Sequence, residues 1–269
     1  MDWMYQIPNW MFCLLVMTVT AAVGIGGLLL TRTRIIRLHG DQPHNDVVGI
    51  FLNVTGIIYG IALGLIAVAT WQSYSNTGTK ANAEAAGVAA LYRDVSSLPD
   101  PARSELQQEL RTYTRIVIDR SWPAQREGKI PDAGTEQLTV FQAALDHFEP
   151  LTDGQKILYA ETLSAFNLLV ELRRARMEAA VSGLPFPVWV VVIAGAVITL
   201  AVTWFIRSLR FSVHVWMTLL LSVFLGLVIQ LMIRLDKPYR GAYGISPAAF
   251  EVVYQQLMTG PLLTPPPGQ

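Results

Sequence analysis

The sequence predicts an all-α integral membrane protein, with four transmembrane helices paired as two hairpins and a helical-bundle soluble domain inserted between spans two and three. Three observations predict it. Hydrophobic residues make up 52% of the chain and charged residues only 15%, a balance that points to the bilayer as solvent. Four apolar runs reach the roughly 20 residues a helix needs to cross a hydrocarbon core of about 30 Å. Between the second and third of these, the segment 73–184 holds most of the charge and repeats its apolar residues at helical spacing.

The first span, Trp10 to Leu30, carries no ionisable side chain except the Cys13 thiol. A cleaved signal peptide would need a basic leader and a shorter apolar stretch, whereas the residues before Trp10 include Asp2 and neither Lys nor Arg. The second span, Val47 to Trp71, and the third, Pro187 to Ile206, are free of charge and have tryptophans near their ends, as interfacial anchoring favours. The fourth, Val213 to Ile233, follows a short basic turn from Arg207 to Arg210, so the last two spans form a tight antiparallel hairpin. The domain boundaries that result are 1–72 for the first hairpin, 73–184 for the soluble domain, 185–234 for the second hairpin and 235–269 for a tail.

Within the soluble segment four apolar stripes predict four helices: Val88, Leu91 and Val95; Leu106, Leu110, Tyr113 and Val117; Leu138, Phe141, Leu145 and Phe148; Tyr159, Leu163, Phe166 and Val170. Asp100 ahead of Pro101 reads as an N-cap with a first-turn proline, and Thr152 with Gln155 as a capping box. Trp71 to Ala90 contains no strong breaker, so the second span is expected to run on into the first soluble helix. The tail from Ala248 to Met258 reads as an amphipathic helix able to lie along a membrane, with Phe250, Val253 and Leu257 on one side.

Arg32, Arg34 and Arg37 between the first two spans place that loop in the cytoplasm by the positive-inside rule. The N-terminus and the helical domain then face the external or periplasmic side of the inner (plasma) membrane. Arg173, Arg174, Arg176, Arg234, Lys237 and Arg240 near membrane ends count against this, although long translocated segments obey the rule poorly.

Basic and acidic residues number 20 each, so no bulk charge invites a nucleic acid. One cysteine allows neither a disulfide framework nor a thiolate metal site. His39 and His44 have a spacing of little specificity for a metal, and His147 and His214 have no evident partner residues. No phosphate loop, nucleophile elbow or zinc motif is present, and Glu105 and Glu109 read as a solvated helix face. The sequence therefore predicts no cofactor, no metal and no enzyme.

The second span carries the most informative pattern. Gly49, Asn53, Gly56, Gly60 and Gly64 recur every three or four residues. Such a face lets helices approach closely in lipid, or it lines a pore in which glycine leaves width and Asn53 and Thr55 hydrogen-bond an ion. In an oligomer both can hold. His44, Asn45 and Asp46 sit where the loop meets this span: Asn45 or Asp46 caps the helix and complements its dipole, or the three form a pore-mouth site with His44 titrating near neutral pH. Ser222 and Gln230 in the fourth span read as interhelical hydrogen-bonding groups.

Taken together, His44-Asn45-Asp46-Val47-Val48-Gly49, Tyr59, Trp71, Glu84-Ala85 followed by Leu91-Tyr92-Arg93, and Asp236-Lys237-Pro238-Tyr239 with Gly241 and Ser246-Pro247 resemble the bacterial bestrophin-like membrane proteins. Tyr239 stands where that pattern commonly has Phe. The resemblance implies four spans per subunit, a helical region between the second and third, and an oligomeric anion channel lined by second-span helices. The partners expected are membrane lipid, other copies of the chain and inorganic ions. A membrane-anchored sensor or assembly protein whose helical domain binds a ligand or partner is the rival. A transporter would show more spans or inverted repeats.

Overall fold

The computed structural model describes residues 3–39, 45–129, 131–206, 210–241 and 244–260, with helix as the only regular secondary structure among them. Its helices are α1 (Trp3–Gln6), α2 (Asn9–His39), α3 (Asn45–Ser96), α4 (Ala102–Ile116), α5 (Trp122–Arg126), α6 (Ala133–Asp146), α7 (Asp153–Val181), α8 (Phe186–Trp204), α9 (Phe211–Asp236) and α10 (Ala248–Val253). π-Helical turns at Val117–Ser121 and Tyr254–Met258 continue α4 and α10. Four helices are long and apolar enough to cross a membrane. The chain divides into two compact units: the residues up to Ser73 with Gly183–Asp236, and Tyr74–Ser182 with the residues from Lys237 on.

In the first unit α2 packs on α8 and α9, and α8 on α9. Close approach depends on small residues: a methyl group at Gly27 would overlap Trp204, one at Gly24 would overlap Ser222, and one at Gly195 would overlap the Tyr59 ring. The Trp204 indole donates to the Gly24 carbonyl at 2.9 Å, and the His214 ring sits 2.9 Å from the Thr203 carbonyl. From α3, Tyr59 and Leu63 join Val192, Ala196, Leu200, Leu225, Ile229 and Met232 in an apolar cluster. The Tyr59 hydroxyl donates to the Val192 carbonyl at 2.8 Å, which satisfies it in an apolar setting. Ser222 differs from the sequence expectation: its hydroxyl donates to Thr218 on its own helix at 2.7 Å, because the turn-preceding carbonyl is always within reach of a helical serine.

In the second unit the first three predicted stripes supply the core, with Val88, Leu91, Val95, Leu106, Leu110, Tyr113, Val117, Leu138, Phe141 and Leu145 all buried. The fourth is turned. On α7 the buried face is Thr162, Phe166, Leu169, Arg173, Arg176 and Ala179, while Val170 is exposed. The expected N-cap at Asp100 is also corrected. Helix α4 begins after Pro101 with no side-chain cap, since the Asp100 carboxylate is taken by Arg103. The capping box of Thr152 and Gln155 is present, and α3 runs without a break from Asn45 to Ser96. The tail belongs to this core instead of standing apart, as Phe250 packs edge-on against Trp122 at 5.5 Å and Met258 is buried.

Candidate functional sites: a bare helical strip and a buried charge cluster

A helix advances about 100° per residue, so the residues of α3 sort into sectors around its axis. Leu52, Thr55, Tyr59, Leu63, Ile66 and Thr70 make the inward face, each buried or half-buried. Val47, Ile50, Val54, Ile57, Ile58, Ile61, Leu65 and Val68 are exposed and form a bulky apolar face. Between these faces lies a strip of small and polar residues: Gly49, Asn53, Gly56, Gly60 and Gly64. Asn53, Gly56, Gly60 and Gly64 are exposed, and a methyl group built on any of the four glycines meets nothing within 4 Å. Thr55 does not join the strip. It falls about 200° from Asn53, on the flank of the inward face.

The other expected positions divide. Asn45 and Asp46 open the described part of α3, and Asp46 in its first turn complements the helix dipole; His44 is outside the described residues. Trp71 and Arg93 are exposed, whereas Tyr92 is buried and accepts a hydrogen bond from Arg111 at 3.2 Å. Asp236, the last residue of α9, accepts the Leu184 backbone N–H at 2.5 Å. The Pro238 carbonyl accepts from the Ile245 N–H at 2.8 Å, closing a turn in which Gly241 has φ +74°. Only glycine adopts that conformation without strain.

Glu84 proves to be the hub of a second site. On α3 it is fully buried and ion-paired with Arg176 of α7, also fully buried. The Tyr113 hydroxyl donates to Glu84 Oε1 at 2.6 Å, and Arg176 Nη1 donates to Gln125 Oε1 at 2.9 Å. The Arg176 guanidinium lies 5.0 Å from the Trp122 ring, which in turn meets Tyr239 edge-on at 5.4 Å. Trp122 Nε1 donates to the Ile245 carbonyl at 2.8 Å and so ties the family-motif turn to this cluster. Burial, then the neighbouring Glu84 charge, drives the Tyr113 phenol far above its ordinary value. Burial pushes Tyr239 up to about 12 against the opposing pull of Arg176. For Arg176 burial disfavours the charge, yet Glu84 outweighs it and the pKa rises. Both tyrosines therefore stay neutral and Arg176 stays charged.

Sequence reasoning found Glu84 and Tyr239 only as motif letters, Tyr113 only as a member of an apolar stripe and Arg176 only as a basic residue near a membrane end, and it did not single out Trp122 or Gln125. The available signal was spacing. Arg173 and Arg176 continue the register of Thr162, Phe166 and Leu169, which places two arginines on the inward face of α7.

A family model described as a bestrophin-like domain matches residues 18–250. A bacterial bestrophin homologue from Klebsiella pneumoniae, a crystal structure of a point mutant, is similar with a TM-score of 0.67 at 12% identity, over 93% of this chain and 99% of that one. Another mutant of the Klebsiella pneumoniae homologue gives 0.64 at 14% identity over 91% and 98% of the two chains. A crystal structure named only as a membrane protein gives 0.65 at 15% identity over 93% and 99%. No curated protein matches the sequence. The chain belongs to the bestrophin-like family.

Proposed function

We propose that this member of the bestrophin-like family is an ion channel of the membrane, built from several copies whose α3 strips face a common axis. The bare strip carries the proposal. A methyl group on any of its four glycines, which recur at helical spacing, would meet nothing within 4 Å among the described residues, which leaves room beside the strip for something outside the chain. The bulky face of α3 already supplies the lipid contact. Gly49, Gly56, Gly60 and Gly64 would set the pore width, and the Asn53 amide would contact the ion. The second unit, continuous with the strip through α3, would form a water-exposed vestibule or gate on the external side. Between Gly49 and Gly64 the strip has no carboxylate, and an amide N–H can donate to an anion, so anions are favoured over cations. Asp46 lies on the same line one turn ahead and marks the mouth.

Planar-bilayer recording of the purified protein under an asymmetric chloride gradient tests this. The expected reversal potential lies on the chloride side of zero. Gly60→Leu abolishes current and Asn53→Ala shifts the selectivity. A folded protein silent across pH, calcium and voltage overturns the channel. A reversal potential on the cation side, removed by Asp46→Asn, moves selectivity from the strip to the mouth.

A further inference from the structure

The buried cluster of the second unit carries an unbalanced charge. Glu84 is neutralised by Arg176, but Arg173 of α7 is only 5% exposed and its hydrogen-bond partners are neutral: the Tyr113 and Thr135 hydroxyls, each at 3.3 Å. Among the described residues no carboxylate lies within ion-pairing distance of it. A guanidinium removed from water without a counter-ion is costly. Its position makes the imbalance worse. A methyl group at Gly134 would come within 2.6 Å of Nη1 and 2.8 Å of Nη2, so the guanidinium fills the space beside the first turn of α6. That helix has no side-chain cap, and its N-terminus adds positive potential.

Arg173 also lines a cavity of about 380 Å³, walled by Leu138, Phe166, Val170 and Met177. This size is within the roughly 300–1,000 Å³ of small-molecule sites, which pair mostly apolar walls with few polar groups. Asp132, the one acidic lining residue, is exposed and makes no ion pair with Arg173. We propose that this cavity binds an organic acid with an apolar body, its carboxylate on the Arg173 guanidinium and the Thr135 hydroxyl and its apolar part against Leu138, Phe166 and Val170. The ligand supplies the counter-charge the fold omits. By engaging Arg173 it competes with the Tyr113 hydroxyl, the same group that holds Glu84. The site stands whether or not the protein conducts ions.

Calorimetric titration of the full-length protein in nanodiscs tests it, with phenylacetate as probe, phenylacetamide as its neutral counterpart and acetate as the bare carboxylate. One phenylacetate binds per chain, and phenylacetamide and acetate each bind at least tenfold more weakly. Arg173→Gln weakens phenylacetate by about tenfold or more, as loss of a charge-assisted hydrogen bond predicts. Val170→Trp fills the cavity at an already exposed position and abolishes binding with the guanidinium intact; it decides the matter alone if Arg173→Gln does not fold. Dodecanoate in the nanodisc separates the sources: competition with phenylacetate identifies a membrane-derived fatty acid, and its failure an aqueous one. Equal binding of phenylacetate and phenylacetamide, no binding of either, or affinity unchanged in the variants overturns the proposal.

Discussion

The two halves of α3 carry small residues at the same helical spacing and put them to opposite use. In the second half a methyl group at Gly87 would come within 2.9 Å of Leu172, and Ala81, Ala85 and Val88 are buried in an apolar core. In the first half Gly49, Gly56, Gly60 and Gly64 meet nothing within 4 Å. Glycine spacing therefore says that something approaches closely, and only the fold tells whether the approaching group is in the same chain. Residues 74–96 are completed from within. The strip in the first half leaves a place for something else, whether a second copy, lipid or a permeating ion.

The largest expected effect breaks the completed half. Glu84→Ala leaves the Arg176 and Arg173 guanidinium groups buried together with no carboxylate, at a cost of about 3–5 kcal/mol, read as a fall in the thermal unfolding midpoint. Glu84→Leu combined with Arg176→Met costs less than either single change, because it removes both charges of the pair at once. An additive double variant would mean that Glu84 acts mainly through Tyr113.

Next in size are the covered glycines of the first unit. Gly195→Ala drives a methyl group into the Tyr59 ring and costs about 1–3 kcal/mol as an overpacking defect. Gly60→Ala, on the bare strip, keeps the protomer within about 1 kcal/mol of wild type, in the stabilising direction, since alanine is the better helix former. It alters conductance all the same. Circular dichroism melts of the two variants beside bilayer recordings separate the classes. Should Gly60→Ala destabilise the purified protein as much as Gly195→Ala, the strip is a packing face between copies and not a pore lining.

Much of the fold was legible because bilayer spans and amphipathic helices announce themselves by run length and by period. Trp71 to Ala90 lacks a breaker, and α3 is continuous there. The turned register of α7 was hidden for a physical reason. Its inward face contains Thr162, Arg173 and Arg176, and a count of apolar residues slides toward Val170 and away from buried cations. The Asp100 cap failed because a nearby arginine competed for the carboxylate. The strip was readable as a pattern, while Thr55, read with it as pore-lining or helix-packing, falls about 200° from Asn53 on the half-buried side of the helix. What the pattern could not give was its bareness, which depends on where α8 and α9 stand.

The smallest effect sharpens the comparison at the far end of α3. Burial, and after it the charge of Glu161, raises the Asp94 carboxyl above the ordinary aspartate range. A carboxyl whose folded pKa exceeds its unfolded value favours folding while protonated and opposes it once ionised. The penalty is therefore absent below the unfolded pKa, grows as pH rises, and is complete above the folded pKa. Asp94→Asn removes it. The variant melts about 1 °C higher at neutral pH, the scale of a surface charge change, and the advantage disappears on acidification below the ordinary aspartate value. Melts of both proteins at successive pH values check the sign. An advantage that instead grew toward acid would show that Asp94 is held ionised by a favourable partner, and that even the completed half of α3 keeps an unrecognised cation at its end.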